Sequence, residues 1–310
     1  MRALVHNPDA PHGLCLGQAP DPVPRDDQVL VQVRAISFNL GELKNLAAHP
    51  PGHVSGWDAA GIVVKAAADG SGPPAGARVV TFGWTGGWAE LRAVDTSELA
   101  VVPDSIDLGP ASALPVAGVS ALQALRGLGP VLGRRVLVTG ASGGVGRYAV
   151  QLAARAGAHV IAAVGSPERG IGLTGLGAAE VVVGLDNVSE PVHGVIDNVG
   201  GPQLSDAVTL LADGGVIQWI GQASDQPTVL DARQRAGHRS WRLESFAVAA
   251  PFGPDLAVLV DLLAKGEIDP QVGWRGPWER ASEAAHALLS RQVQGKVVLD
   301  VTEEHLVSCA

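Results

Sequence analysis

The 310-residue chain is poor in sulfur and in most aromatics, with two cysteines, one methionine, one tyrosine and four phenylalanines. Cys15 and Cys309 stand near opposite ends, which excludes a disulfide framework, and no CxxC pair is present to start a tetrahedral metal site. A reducing cytoplasm is the expected location. No stretch approaches the roughly 18 consecutive apolar residues of a membrane span. The opening MRALVHNPDAPHG breaks into Asn, Pro and Asp before any apolar run develops, so neither a signal peptide nor a transmembrane helix is expected. Basic runs are missing too: 22 Lys and Arg face 31 Asp and Glu, a net charge of -9, which argues against a nucleic-acid partner.

What the chain does have is glycine, 40 residues of it, close to twice the usual share of about 7%. Many backbone positions must therefore turn tightly or approach something closely. With 46% hydrophobic and 17% charged residues, the length suffices for one large core or two ordinary ones.

The chain changes grammar along its length. Up to about residue 110 it reads as short strands between turns: RALVH, QVLVQVRAIS, DAAGIVVKAA, ARVVTFG and GGWAELRAV. Then LPVAGVSALQALRGL has helical apolar spacing and leads into alternating buried strands (RRVLVTG, AHVIAAVG, AEVVVG, HGVIDNVG, GGVIQWIG) and helices (GRYAVQLAARAG, PQLSDAVTLLAD). Continuous apolar strands separated by helices predict a parallel, doubly wound α/β sheet covered on both faces. After residue 225 come a last strand in SWRLESFAV, two helices in PDLAVLVDLLAKG and ERASEAAHALLSRQ, and a closing strand, GKVVLDV, free to return to the N-terminal unit. The expected division is a β-rich domain from residues 1–112 and 247–310, with a doubly wound domain, 113–246, inserted between them.

The most informative stretch is RRVLVTG-ASGGVG-RYAVQLAARAG, a strand, a glycine loop and a helix. Ala141, Gly143 and Gly146 occupy the three small-residue positions of a dinucleotide loop, where a tight turn, a pyrophosphate and close helix–strand packing each demand a small side chain. With Ser142, Gly144 and Val145 they form the expected cofactor loop, at a helix N-terminus suited to phosphate. The same residues satisfy the G-x-S-x-G elbow of serine hydrolases, with Ser142 as nucleophile and Asp197 with His238 or His286 as partners. That alternative leaves Gly146 and the second strand without a role. At the end of the second strand, HVIAAVGSPER has no acid before Glu168 to take a ribose hydroxyl. It has Ser166 and the forked guanidinium of Arg169, so NADPH is favoured over NADH. His49 and His53 with Asp58 form the only other metal-like group, and Pro50 and Pro51 prevent the histidines from sharing a helical face. No metal is expected.

Nearly the whole chain resembles the medium-chain dehydrogenase/reductase superfamily, in its zinc-independent quinone oxidoreductase branch. The resemblance rests on ISFNLGELK, SGWDAAGIVV, GGWAELRAV, LPVAGVSALQAL, VLVTGASGGVGRYAVQLA, GVIDNVGG, GGVIQWIG and QGKVVLDV. It implies a GroES-like β domain, a Rossmann NADP domain, a cleft between them and a homodimer. Where zinc relatives place two cysteines and a His-Glu pair, this chain has Asn39, Trp57-Asp58 and Val116, which cannot replace thiolates and imidazole. The four-cysteine structural lobe is missing as well.

Carried over, the resemblance puts Asn39 beside the nicotinamide, Gly143 to Gly146 on the pyrophosphate, and Ser166 and Arg169 on the 2'-phosphate, and counts Val116 among the cofactor-binding residues. Asn198, Val199, Ile220 and Gly221 fall along the ribose and nicotinamide, and Arg291 near the cofactor. Asn39 is suited to hold a carboxamide or a substrate carbonyl without a metal. Many members carry a tyrosine where His49 or Pro50 stands here, so His49 is the candidate proton donor; Tyr148, on the Rossmann helix, is expected to pack. Trp57 and Phe246 are the candidate pocket walls, with Trp84, Trp88, Trp241, Trp274 and Trp278 divided between pocket and core. The implied activity is hydride transfer from NADPH to a quinone or an α,β-unsaturated carbonyl. An enoyl-thioester reductase and a catalytically silent NADPH sensor are the alternatives.

Overall fold

The computed structural model describes residues 1–231 and 240–301. They divide into two compact units, residues 1–116 with 250–267 and 272–301, and residues 117–231 and 240–249 with 268–271.

In the first, β-rich unit, a hairpin of β1 (Arg2–His6) and β2 (Leu14–Gln18) accompanies a seven-stranded sheet. The sheet uses β3 (Gln28–Phe38), β4 (Asp58–Lys65), β5 (Arg78–Phe82), β6 (Leu91–Asp95) and β7 (Leu99–Val101). It is completed from the far end of the chain by β14 (Val272–Pro277) and β15 (Lys296–Asp300). Residues of β3 alternate between buried and half-buried over most of its eleven positions, the period-two pattern that fixes register in a sheet with one covered face. The closing strand GKVVLDV returns as expected: β15 lies antiparallel to β3, with Val297 opposite Phe38. Helices α1 (Leu40–Asn45), α2 (Leu108–Ser112), α6 (Gly253–Ala264) and α7 (Ala281–Leu289) complete the unit. One of its cores packs Ile36, Phe38, Leu43, Trp88, Trp278 and Leu299 together. Trp88 and Trp278 are therefore core, each wholly buried, whereas Trp84 is 60% exposed.

The second unit is built on α3 (Pro115–Gly127), most of which it contains, followed by β8 (Arg135–Val138), α4 (Gly144–Arg155), β9 (His159–Val164), β10 (Glu180–Val183), β11 (Val192–Asp197), α5 (Gly201–Thr209), β12 (Leu211–Trp219) and β13 (Trp241–Ser245). All six strands run parallel in the order β10-β9-β8-β11-β12-β13. This is the doubly wound order in which the first strand and the fourth are neighbours and the winding reverses between them. The core of Leu137, Ile161, Val195, Leu204, Val208 and Ile217 shows both why β8, β9 and β11 read as unbroken apolar runs and why α5 is amphipathic. Between β9 and β10, residues 171–177 of the glycine-rich GIGLTGLG form turns and no α-helix, as their composition requires. Tyr148 is buried on α4, as expected of a packing residue.

Candidate functional site

The parallel-sheet unit carries its candidate residues along one edge, at the carboxyl ends of the strands. Gly140 leaves β8 in the left-handed region (φ 58°). The Ala141 N–H then donates to the Ala163 carbonyl of β9 at 3.1 Å, and Gly143 caps α4. A Cβ on Gly146 would stand 2.4 Å from the Gly140 oxygen and 2.7 Å from the Ala141 Cα, so the close approach of helix to strand is built into the backbone. The loop thus holds the N-terminal N–H groups of α4 in the position from which such a helix binds phosphate.

Buttressing comes from the neighbouring strand end. The Thr139 hydroxyl donates to Asp197 Oδ1 at 2.6 Å, the Gly200 N–H to Asp197 Oδ2 at 2.8 Å, and Asn198 Nδ2 to the Thr139 carbonyl at 2.8 Å. Burial pushes the Asp197 carboxyl up, while the Thr139 and backbone donors pull it down. The Ile220 and Gly221 N–H groups donate to the Asp197 carbonyl, and a Cβ on Gly221 would lie 2.5 Å from the Asn198 oxygen. The structure therefore brings together the glycine loop, Asn198, Val199, Ile220 and Gly221. Phe246 sits one residue past β13 on the same edge, half-buried, its N–H donating to the Trp219 carbonyl.

Arg169 reaches the loop from the carboxyl end of β9. Its Nε donates to the hydroxyl of Ser142 at 3.1 Å, fixing the guanidinium beside the first turn of α4. The Ser166 hydroxyl donates to Glu168 and holds that carboxyl below its ordinary range. Sequence reasoning missed Arg147, a buried side chain that donates to the Ser142 carbonyl, the Ile171 carbonyl and Gln271 Oε1 and so ties loop, turn and segment 268–271 together. The elbow reading finds no support in these contacts. Ser142 is 4% exposed and paired with a guanidinium, Asp197 is engaged by Thr139 and Gly200, and the His286 ring lies 5.3 Å from that of His12 in the other unit's α7 corner. His238 lies outside the described residues.

The β-rich unit centres on Asn39, the N-cap of α1. Glu42, three residues on, reaches back and accepts from the Asn39 backbone N–H at 2.8 Å, the returning arm of a capping box. The Asn39 amide is engaged on both sides. Its Nδ2 donates to Glu42 Oε2 (2.8 Å) and Asp58 Oδ2 (2.9 Å), and its Oδ1 accepts from Lys296 Nζ at 2.6 Å. Lys296 also donates to the Phe38 carbonyl and Asp58 Oδ2, and Asp58 Oδ1 accepts from the Val116 N–H at 3.0 Å. Arg92, also buried, donates to the carbonyls of Gly56, Trp57, Gly83 and Thr85. With both amide hydrogens committed, the expected hold of Asn39 on a substrate carbonyl is not open to it; accepting from a carboxamide N–H remains as a proposal.

Burial, then the charge on Asp58, pushes the Glu42 carboxyl up to about 8, against donors from Trp57 and Asn39 and the charge of Lys296 that pull it down. Burial lowers Arg92 to about 10. Between the ordinary 4.5 and about 8 the folded chain keeps a proton on Glu42 that the unfolded chain has released, so stability falls as pH rises through that window and levels off above it. Urea unfolding at about pH 5 and about pH 8 is expected to give the lower midpoint at the higher pH, and Glu42→Gln to flatten the difference.

Trp57 is fixed at both backbone ends: its N–H donates to Glu42 Oε1, and its carbonyl accepts from the Gly83 N–H and Arg92. Its ring lies over Gly41, where a Cβ would stand 3.2 Å away, and edge-on to Trp84 at 5.4 Å. His49 is exposed and its ring stacks on that of His53 at 4.1 Å. Arg291, exposed just past α7, adopts φ 57°.

A metal at the position where zinc members of the fold hold one is tested by the donor set. Asn39, Trp57, Asp58 and Val116 offer one carboxylate and one amide, and the Lys296 ammonium already sits between those two. A divalent cation and that ammonium exclude each other, so the residues do not fit zinc. Among the described residues no group of three or more His, Cys, Asp or Glu is arranged to hold a metal ion, and no helix is long and apolar enough to cross a membrane.

Comparison with known proteins agrees with this architecture. The alcohol dehydrogenase GroES-like domain family matches residues 25–104, and a zinc-binding dehydrogenase family matches residues 176–299. A probable zinc-binding oxidoreductase of Arthroderma benhamiae is 31% identical, covering 93% of each chain, and pig quinone oxidoreductase is 28% identical over 90% of each. Among solved structures, a quinone oxidoreductase from Coxiella burnetii aligns with a TM-score of 0.84 at 26% identity, over 97% of this chain and 99% of that one. A mycobacterial protein complexed with NADPH aligns with a TM-score of 0.86 at 26% identity, over 97% and 100%.

Proposed function

The chain belongs to the medium-chain dehydrogenase/reductase superfamily, in its quinone oxidoreductase branch, and we propose that it is an NADPH-dependent, metal-independent reductase of quinones or α,β-unsaturated carbonyls. The observation that carries the reading is the carboxyl edge of the parallel sheet, where a glycine loop that admits no Cβ at Gly146 meets a guanidinium anchored on that loop. NADPH supplies the hydride when bound. The protein's part is to bind, orient and exclude water. The loop and the α4 N-terminus take the pyrophosphate, and Arg169 with Ser166 takes the 2'-phosphate.

Acceptor class is supported by relatives, which include a 2-methylene-furan-3-one reductase of tomato as well as quinone oxidoreductases. The donor set at Asn39 supports the absence of a zinc step. His49 is proposed as the proton donor for an enolate, and a quinone needs none, because its reduced form takes protons from water.

Arg169→Ala is expected to raise the KM for NADPH by about 10- to 100-fold, the loss of a charge-assisted contact of about 1.5–3 kcal/mol, and to leave the KM for NADH nearly unchanged. Steady-state NADPH consumption with a naphthoquinone and with cyclohexenone, on chelator-treated protein, tests the function. Turnover of either supports a reductase, while tight NADPH binding without turnover would replace the reading by a sensor.

A further inference from the structure

We infer that Lys296 is a positioning residue: it fixes the Asn39 amide with both hydrogens turned inward, so that Asn39 meets a ligand only as a hydrogen-bond acceptor. Two orientations of a primary amide are nearly equal in shape, and the chemistry around this one tells them apart. On one side stand Glu42 Oε2 and Asp58 Oδ2, on the other the Lys296 ammonium. As placed, two N–H donors meet two carboxyl oxygens and the oxygen meets a cation. Turned over, the oxygen would face both carboxyl groups and the NH2 would face an ammonium that accepts nothing, losing three hydrogen bonds of which the strongest are charge-assisted. Asp58 and Lys296 alone suffice for this choice whether or not Glu42 carries a proton.

Among the described residues Lys296 is the charged donor on the amide oxygen, and the Glu42 backbone N–H, the other arm of the capping box, also meets the Asn39 side chain. Lys296 is 3% exposed at the start of β15, and its three protons have three acceptors, the Phe38 carbonyl, Asn39 Oδ1 and Asp58 Oδ2. The ammonium is delivered 257 residues along the chain to the cap of α1 by the pairing of β15 with β3. Asn39 itself is half-buried, so part of it remains open to a ligand. A ligand that contacts it must bring a donor, such as a carboxamide N–H or a hydroxyl; a carbonyl oxygen gains no hydrogen bond there.

The inference deepens the proposed reductase site and rests on that reading. Its test has one arm that needs no turnover, so the two can fail separately. In the folded wild-type protein the side-chain NH2 protons of Asn39 are expected to exchange with solvent about tenfold or more slowly than those of the exposed Asn187, and Lys296→Met to remove that protection. Equal exchange at Asn39 and Asn187 would overturn the inference, and so would protection that survives in Lys296→Met.

In the second arm, NADPH oxidation with a naphthoquinone is compared in Lys296→Met, Asn39→Ala and the double variant. Each single change is expected to lower kcat/KM by about 10- to 100-fold and the double to be no worse than the poorer single, since Lys296 acts through Asn39. Losses that multiply would show that Lys296 acts independently and would overturn the assignment. Should Lys296→Met fail to fold, equal exchange at Asn39 and Asn187 in the wild-type protein still overturns the inference.

Discussion

Gly146→Ala is expected to destabilise this protein by about 3 kcal/mol and to weaken NADPH binding by about 100-fold or more. The added methyl would stand 2.4 Å from the Gly140 oxygen and 2.7 Å from the Ala141 Cα. Both are backbone atoms, so no rotamer change relieves the overlap. Helix α4 must instead back away from β8, moving the N–H groups at its start away from the phosphate proposed to bind there. Gly143→Ala makes the comparison. Its Cβ would meet only the Gly140 oxygen, at 3.4 Å, and its φ of -80° suits any residue. That variant is expected to keep its stability within about 1 kcal/mol while losing cofactor affinity, because the methyl would occupy the space proposed for the pyrophosphate. Thermal unfolding and NADPH titration of the two variants separate a packing demand from a ligand demand.

Asp58→Asn is expected to cost about 3–5 kcal/mol, the range seen when one partner of a buried ion pair is removed. Asp58 is wholly buried, and it serves Lys296, Asn39 and the Val116 N–H at once. Its loss leaves the ammonium of Lys296, 3% exposed, without its paired carboxylate. Chemical denaturation measures the loss, and the double variant Asp58→Asn with Lys296→Met is expected to recover part of it by removing both charges. A second consequence is independent of the first. The charge on Asp58 helps to hold Glu42 high, so the fall of stability with rising pH should shrink in Asp58→Asn.

The first five strands of the parallel unit were legible because each is an apolar run flanked by glycine, and the glycine loop because its three small positions stand between such a strand and an amphipathic helix; β13, WRLES, carries two charges and was legible only as a short strand candidate. The expected return of GKVVLDV to the N-terminal sheet was likewise legible. Strand β2 and strand β14 were not, since LCLGQ and VGWRGP are short and carry glycine or proline where a strand signal needs β-branched residues. Tryptophan was ambiguous by nature: Trp88 and Trp278 proved to be core, and only their packing distinguishes them from the exposed Trp84.

The site divided in the same way. Its local parts, loop and strand ends, follow a spacing that can be read. The network at Asn39 is assembled from β3, α1, β4 and β15, and no local pattern announces that Lys296 will meet Asn39. One signal was present and unused: Asn39 and Glu42 stand at N-cap and N3, the spacing of a capping box, which already placed a buried carboxylate beside the amide.

The central claim, hydride transfer from NADPH without a metal, is tested most directly by following the label from NADPH carrying deuterium at both C4 positions into an enone under single turnover, with the protein dialysed against chelator. The account predicts deuterium on the carbon β to the carbonyl, at a rate the chelator leaves unchanged. An enone product without deuterium at that carbon, or transfer that appears only after zinc is added back, would contradict it.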